Sequence, residues 1–164
     1  MVPELVSCLD RTVAFLREQV ADLTDEEMIL QTAGIINHAA WTLGHVVCSF
    51  QAVAGELGVE AWLPEHWESC FSYGSLPDPA LSEHSRKMVL MDALEDAGRR
   101  LRAALLRAEE RELAELLPDE KSREVFPTKA HMLIQVVAGH TAYHAGQLAT
   151  WRRVIGRKPI GVFI

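Results

Sequence analysis

Leu133, Val137, His140, His144, Gln147, Trp151 and Val154 follow one another at alternating spacings of four and three residues, and no other feature of this sequence constrains the fold as strongly. Residues so spaced line one face of an α-helix, and a face carrying Leu, Val and Trp has to be covered by other helices. The period recurs earlier in the chain. Leu5, Leu9, Thr12 and Leu16 form one stripe, and Gly34, His38, Trp41, His45, Cys48 and Ala52 form another. No alternating run flanked by hairpin turns is long enough to suggest a sheet, so the expected fold class is all-α.

Four long helices are predicted. The first runs from about Pro3 to Ala21, with proline in its first turn. After a turn or short capped helix around Leu23 to Glu27, the second runs from near Asn37 to near Gly58. A third is expected from about Ser85 to Leu117, stopping at Pro118, and a fourth from near Thr128, after Pro127, to Gly156. Between helices 2 and 3 lies a connection too long for a hairpin loop, holding Trp62, Trp67, Phe71 and Tyr73 among prolines and glycines. The architecture is therefore a four-helix bundle with a long crossover between helices 2 and 3. All 164 residues are read as one domain, and a chain of that length can bury roughly two-thirds of its unfolded surface.

Met28 to Gly55 carries no Asp, Glu, Lys or Arg and is long enough to span a bilayer. Gln31, Thr32, Asn37, His38, His45, Ser49 and Gln51 make it too polar for lipid, so it reads as the central helix of a water-soluble core. A net charge of -7 and a pI near 5.5 argue against nucleic acid and anionic membrane as partners. Cys8, Cys48 and Cys70 are odd in number and form no CxxC pair, which suits a reducing cytoplasm better than a disulfide framework. The start, Met1-Val2-Pro3-Glu4, lacks the basic and apolar stretches of a signal peptide, so a cytoplasmic location is expected.

His140 and His144 are four apart on the inward face of helix 4, hence neighbours able to grip one ion. His45 sits near the middle of the helix 2 seam. A pair of core histidines with a purely structural role is the competing reading. It is the less economical one, because each buried ring nitrogen needs a partner and one metal satisfies several. Gly44, Gly139 and Gly146 flank these histidines, although an interior helix glycine costs about 1 kcal/mol relative to alanine. Close helix approach around the site would explain them.

The remaining candidates carry lesser expectations. His131, nine residues before His140, projects from the opposite face of the helix. His38 shares a face with His45 but lies about 10 Å along the axis, so it lines a pocket or ends the helix. His66 and His84 fall in the crossover, with a rim role open to His66. Cys48, three residues after His45, reads either as a thiolate ligand or, preferably, as a small packed hydrophobe. Gln147 is placed to steady an imidazole or a bound water. Trp41, Val137 and Trp151 supply apolar walls, and Trp67 with its aromatic neighbours is expected at a pocket mouth. Paired Glu-x-x-His motifs, HExxH, a P-loop and a dinucleotide fingerprint are all absent. His66-Trp67-Glu68 mimics a deaminase fragment but lacks the Pro-Cys-x-x-Cys half.

The segments Asn37-His38-Ala39-Ala40-Trp41-Thr42-Leu43-Gly44-His45 and His140-Thr141-Ala142-Tyr143-His144-Ala145-Gly146-Gln147-Leu148 resemble the DinB/YfiT-like superfamily of metal-binding four-helix bundles. The helix 4 ending, Trp151-Arg152-Arg153-Val154-Ile155-Gly156, and the aromatic crossover resemble it too. The resemblance implies a site in which His45, His140 and His144 bind one divalent transition metal, zinc or nickel ahead of iron or copper. It also implies a thiol-dependent S-transferase or related hydrolase, with a low-molecular-weight thiol as cosubstrate and a small molecule as substrate. The alternative is a non-catalytic module that holds metal for stability or binds a small ligand as a sensor, since no carboxylate lies in the seams near the histidines to act as base. The sequence admits a homodimer without specifying one.

Overall fold

The computed structural model describes residues 1–32, 34–158 and 160. It is helical, and among the described residues the only β-type pairings are the isolated bridges Thr32 to Ile35 and Leu116 to Thr128. The helices are α1 (Val2–Ala21), α2 (Asp25–Met28), α3 (Ala39–Gly55), α4 (His66–Phe71), α5 (Lys87–Arg107), α6 (Glu110–Leu113), α7 (Glu120–Val125), α8 (Lys129–Ile134) and α9 (Thr141–Val154). A π-helical segment, Gln135–His140, joins α8 to α9. No helix among the described residues is long and apolar enough to cross a membrane.

The long elements close into a ring: α3 packs on α5, α5 on α1, α1 on α9 and α9 back on α3. The uncharged stretch of the sequence becomes α3, whose residues Ala39 to Val47 are all buried. Its first turn is capped by His38, whose Nδ1 accepts the Trp41 backbone N–H at 3.1 Å. His38 Nε2 then donates to the Asp78 carbonyl at 3.0 Å, so the residue ends the helix and anchors the crossover. At the other end, Gly58 takes φ +73° and the Val59 N–H reaches the Ala54 carbonyl. This is the left-handed glycine stop expected of that position.

One boundary and one helix interior differ from the sequence reading. The third long helix ends at Arg107 rather than Leu117, with Ala108 extended at ψ 130°. Nothing local forbids continuation there. Turning the chain lets both Leu113 and Leu117 enter the core, and the Lys129 N–H then bonds the Glu115 carbonyl beside the start of α8. The fourth long helix spans the expected limits, from the Thr128 cap to Gly156 at φ +79°, but contains the π segment. Its Val154 is exposed, which shortens the inward seam by one position.

Candidate metal centre

His45 comes from the middle of α3, His140 from the end of the π segment and His144 from the first turn of α9. Their ligand-type nitrogens all lie within 4.8 Å of one another, and they form the one such group of His, Cys, Asp and Glu among the described residues. His45 and His144 are buried and His140 is partly so. The Nε2 atoms of His45 and His144 each stand 3.1 Å from His140 Nε2.

Hydrogen bonds on the far sides of the rings decide what those nitrogens present. His45 Nδ1 lies 2.7 Å from the Phe71 carbonyl, which can only accept, so Nδ1 carries the proton and Nε2 a lone pair. His144 Nδ1 donates to Gln147 Oε1 at 2.9 Å, with the same consequence. Two lone pairs therefore point at His140 Nε2. A neutral His140 can offer at most one proton to one of them, and its Nδ1 is buried without a partner among the described residues. Whichever tautomer it takes, the cluster leaves at least one converging lone pair unmatched. A divalent cation would match all three, so the donor set fits a transition metal that accepts imidazole nitrogen.

Burial, chiefly, and mutual repulsion push His140 and His144 down to about 4, and burial lowers His45 as well. All three rings are thus neutral near pH 7, the form that ligates. Trp41 stacks on His45 with ring centroids 4.7 Å apart and planes 8° apart, and it approaches His144 edge-on. Its indole N–H donates to Ser75 Oγ, tying the stack to the crossover.

The π segment has its own fastening. The Thr141 backbone N–H reaches the Val136 carbonyl, and the Thr141 hydroxyl donates to the same oxygen at 2.7 Å. π turns recur at functional sites because the extra residue re-aims a side chain. Here the segment ends on His140. Gly44 serves the opposite wall: a Cβ there would collide with the Phe71 ring, and the close approach is what lets the Phe71 carbonyl reach His45. Gly139 would meet only its own helix neighbour Gln135, and Gly146 faces open space. Close helix approach therefore explains one of the three glycines.

The other sequence candidates fall outside the cluster. Cys48 Sγ donates to the Trp67 carbonyl at 3.8 Å. Burial pushes its thiol up to about 12, so it packs as a small neutral group. His131 is exposed and lies against Thr128. His66 and His84 face each other with centroids 5.4 Å apart, away from the imidazole trio. Trp67 is buried and, with His45, Cys48 and Glu68, lines a cavity of 650 Å³. Trp62 sits under the Arg100 guanidinium. Trp151 lies in the core with its indole N–H on the Leu30 carbonyl. Sequence reasoning missed the Phe71 carbonyl, Ser75 and Tyr143, whose ring meets His144 edge-on at 5.2 Å. A backbone acceptor leaves no mark in a sequence, although the Tyr143-His144 adjacency was visible.

Comparison with known proteins agrees with this architecture. The DinB superfamily model matches residues 8–148. A solved structure described as the conserved protein of a locus from Enterococcus faecalis superposes with a TM-score of 0.77 at 21% identity, covering 96% of this chain and 98% of that one. At that identity the likeness concerns the fold. No curated protein matches.

Proposed function

Taking as premise that this chain belongs to the DinB superfamily, we propose that it is a metal-dependent enzyme whose single divalent transition metal is held by His45, His140 and His144. We further propose that it acts as a thiol-dependent S-transferase or a related hydrolase on a small molecule. The observation that carries the metal reading is the pair of Nε2 lone pairs, fixed by the Phe71 carbonyl and Gln147, converging on a third imidazole whose far nitrogen has no partner. Zinc or nickel suits such a set best, with iron and copper also acceptable to imidazole.

A divalent ion bound by three neutral ligands would supply an uncompensated +2 charge, which lowers the pKa of a bound water or thiol and holds the resulting anion. The protein's part is orientation. The Phe71 carbonyl fixes the tautomer of His45, Gln147 fixes that of His144, and the Trp41 plane shields His45 from water. The cluster contains no carboxylate among the described residues, so none of its side chains is placed to act as a general base, and activation of a bound water or thiol would rest on the metal these histidines would hold. The same observation favours the second reading, a binding module without catalysis.

The tests separate the two. Elemental analysis should find one metal per chain, and His45→Ala, His140→Ala and His144→Ala should each lower affinity by more than about 100-fold, beyond what loss of a ligand's supporting partner causes. His131→Ala should change nothing. Wild-type metal content in two of the three variants would show the site to be misassigned. In the cobalt-loaded Cys48→Ala protein, an added low-molecular-weight thiol should give a sulfur-to-metal charge-transfer band. If it gives none, and chelation spares any transferase activity, the enzyme reading fails and the binding module replaces it.

A further inference from the structure

Beside the imidazole trio lies a second cavity, of 760 Å³, that none of the foregoing uses. Its volume falls within the range of roughly 300 to 1,000 Å³ typical of small-molecule sites. Around it stand four large apolar or aromatic side chains that the fold leaves in solvent: Ile36 at 67% exposure, Tyr73 at 97%, Leu76 at 80% and Tyr143 at 63%. Large side chains of this kind grouped about one concavity mark a binding surface. Among the described residues, its lining includes no Asp, Glu, Lys, Arg or His. The 650 Å³ cavity that His45 lines is different in character, because it holds Glu65 and Glu68.

The cleft touches the proposed metal centre through two residues. Trp41, which stacks on His45, forms part of its wall. Gln147 lines it as well, with Oε1 committed to His144 and no partner for its amide N–H₂ among the described residues. A charge-free wall rejects ionic ligands, since burying a charge without a partner is costly. A free amide donor at the inner end selects for an acceptor.

From these observations we infer that the cleft binds an uncharged small molecule with an aromatic or branched apolar body and a hydrogen-bond acceptor, such as a carbonyl, directed at Gln147. This deepens the proposed function by naming the substrate class and rests on it for any chemistry. Binding itself is independent of the metal.

Calorimetric titration of the metal-free protein tests it, with 2-acetonaphthone as the uncharged aryl ketone and 2-naphthoate as its anionic counterpart. The ketone should saturate at one per chain, with the naphthoate at least tenfold weaker. Tyr143→Ser and Leu76→Ser, both at exposed positions, should each weaken the ketone tenfold or more. Gln147→Leu should weaken it too, and Glu68→Gln, in the other cavity, should leave it unchanged. Absence of saturable ketone binding, or affinity indifferent to Tyr143→Ser and Leu76→Ser, overturns the inference. So does a wild-type dimer that Leu76→Ser or Tyr143→Ser dissociates, because the apolar patch would then be covered by a second copy. Because the titration uses metal-free protein, a failed metal assignment and a failed cleft assignment give separate readouts.

Discussion

Two groups of polar side chains sit deep in this molecule, and they differ in how completely they are satisfied. Arg152 is fully buried, yet its guanidinium donates to the Gln19 carbonyl, to both Asp22 oxygens and to the Lys158 carbonyl. In the imidazole trio His45 and His144 are buried and His140 partly so, but its lone pairs converge and His140 Nδ1 has no partner among the described residues. A buried polar group is normally hydrogen-bonded, and an exception calls for an explanation. Arg152 belongs to the fold, clasping the end of α9 to the end of α1. The trio, by contrast, is placed so that it could hold a metal ion.

The largest effect expected from breaking this contrast is at Asp22. Replacing it with alanine leaves the buried Arg152 guanidinium with backbone carbonyls as its only protein acceptors among the described residues, and because Asp22 is itself half exposed the cost is about 2 kcal/mol, the scale of a hydrogen bond to a charged group. Urea unfolding of the metal-free protein should show it, whereas the metal-free His140→Leu variant should be as stable as wild type or more so. Equal losses in the two variants would erase the distinction.

Acid provides a second probe. The unfolded chain takes up protons at its histidines near 6.5, while burial keeps folded His140 and His144 neutral down to about 4. Between those values the unfolded state binds more protons, so metal-free stability should fall as pH drops through that window. Loss from the other group has the same sign but begins lower. The Arg152 hydrogen bond holds Asp22 below its ordinary 3.8, so its contribution disappears only as pH falls through that range and beneath it. Unfolding curves from pH 7.5 to 2.5 should therefore show a first slope that His140→Leu reduces and a second that it spares.

Gln147→Leu removes the acceptor that fixes the His144 tautomer, and metal affinity should drop about 10- to 100-fold. Competition with a chromophoric chelator measures this, and an unchanged affinity would mean that packing alone orients the ring. The smallest effect is expected from Thr141→Val, which removes the second hydrogen bond to the Val136 carbonyl and should cost about 1 kcal/mol. Thr141→Ser should restore it. A Thr141→Val protein as stable as wild type would show that the backbone bond alone sustains the π turn.

The stripes of the sequence were enough for the all-helical fold and for an inward pair at His140 and His144, because helical period places residues four apart on one face. The glycine stop at Gly58 was legible for a similarly local reason, the left-handed conformation that glycine adopts without strain. The family likeness then tied His45 to that pair. Other features depended on residues distant in the chain. The π turn has no propensity signature, since Gln135 to His140 would serve equally well in an α-helix, and only the packing around Thr141 selects it. The break at Ala108 follows from seating Leu113 and Leu117 in the core rather than from any breaker.

Periodicity, then, determined by itself which faces turn inward and that His140 and His144 could meet. Tertiary structure alone decided how the rings are held, because the acceptor on His45 is a main-chain carbonyl 26 residues away and the partner of Arg152 lies 130 residues away. It also set Tyr73, Leu76 and Tyr143 around one cleft. Local pattern fixes orientation about a helix axis, but hydrogen-bond partners and cavities arise only where separate elements are brought together, and no single segment encodes that meeting.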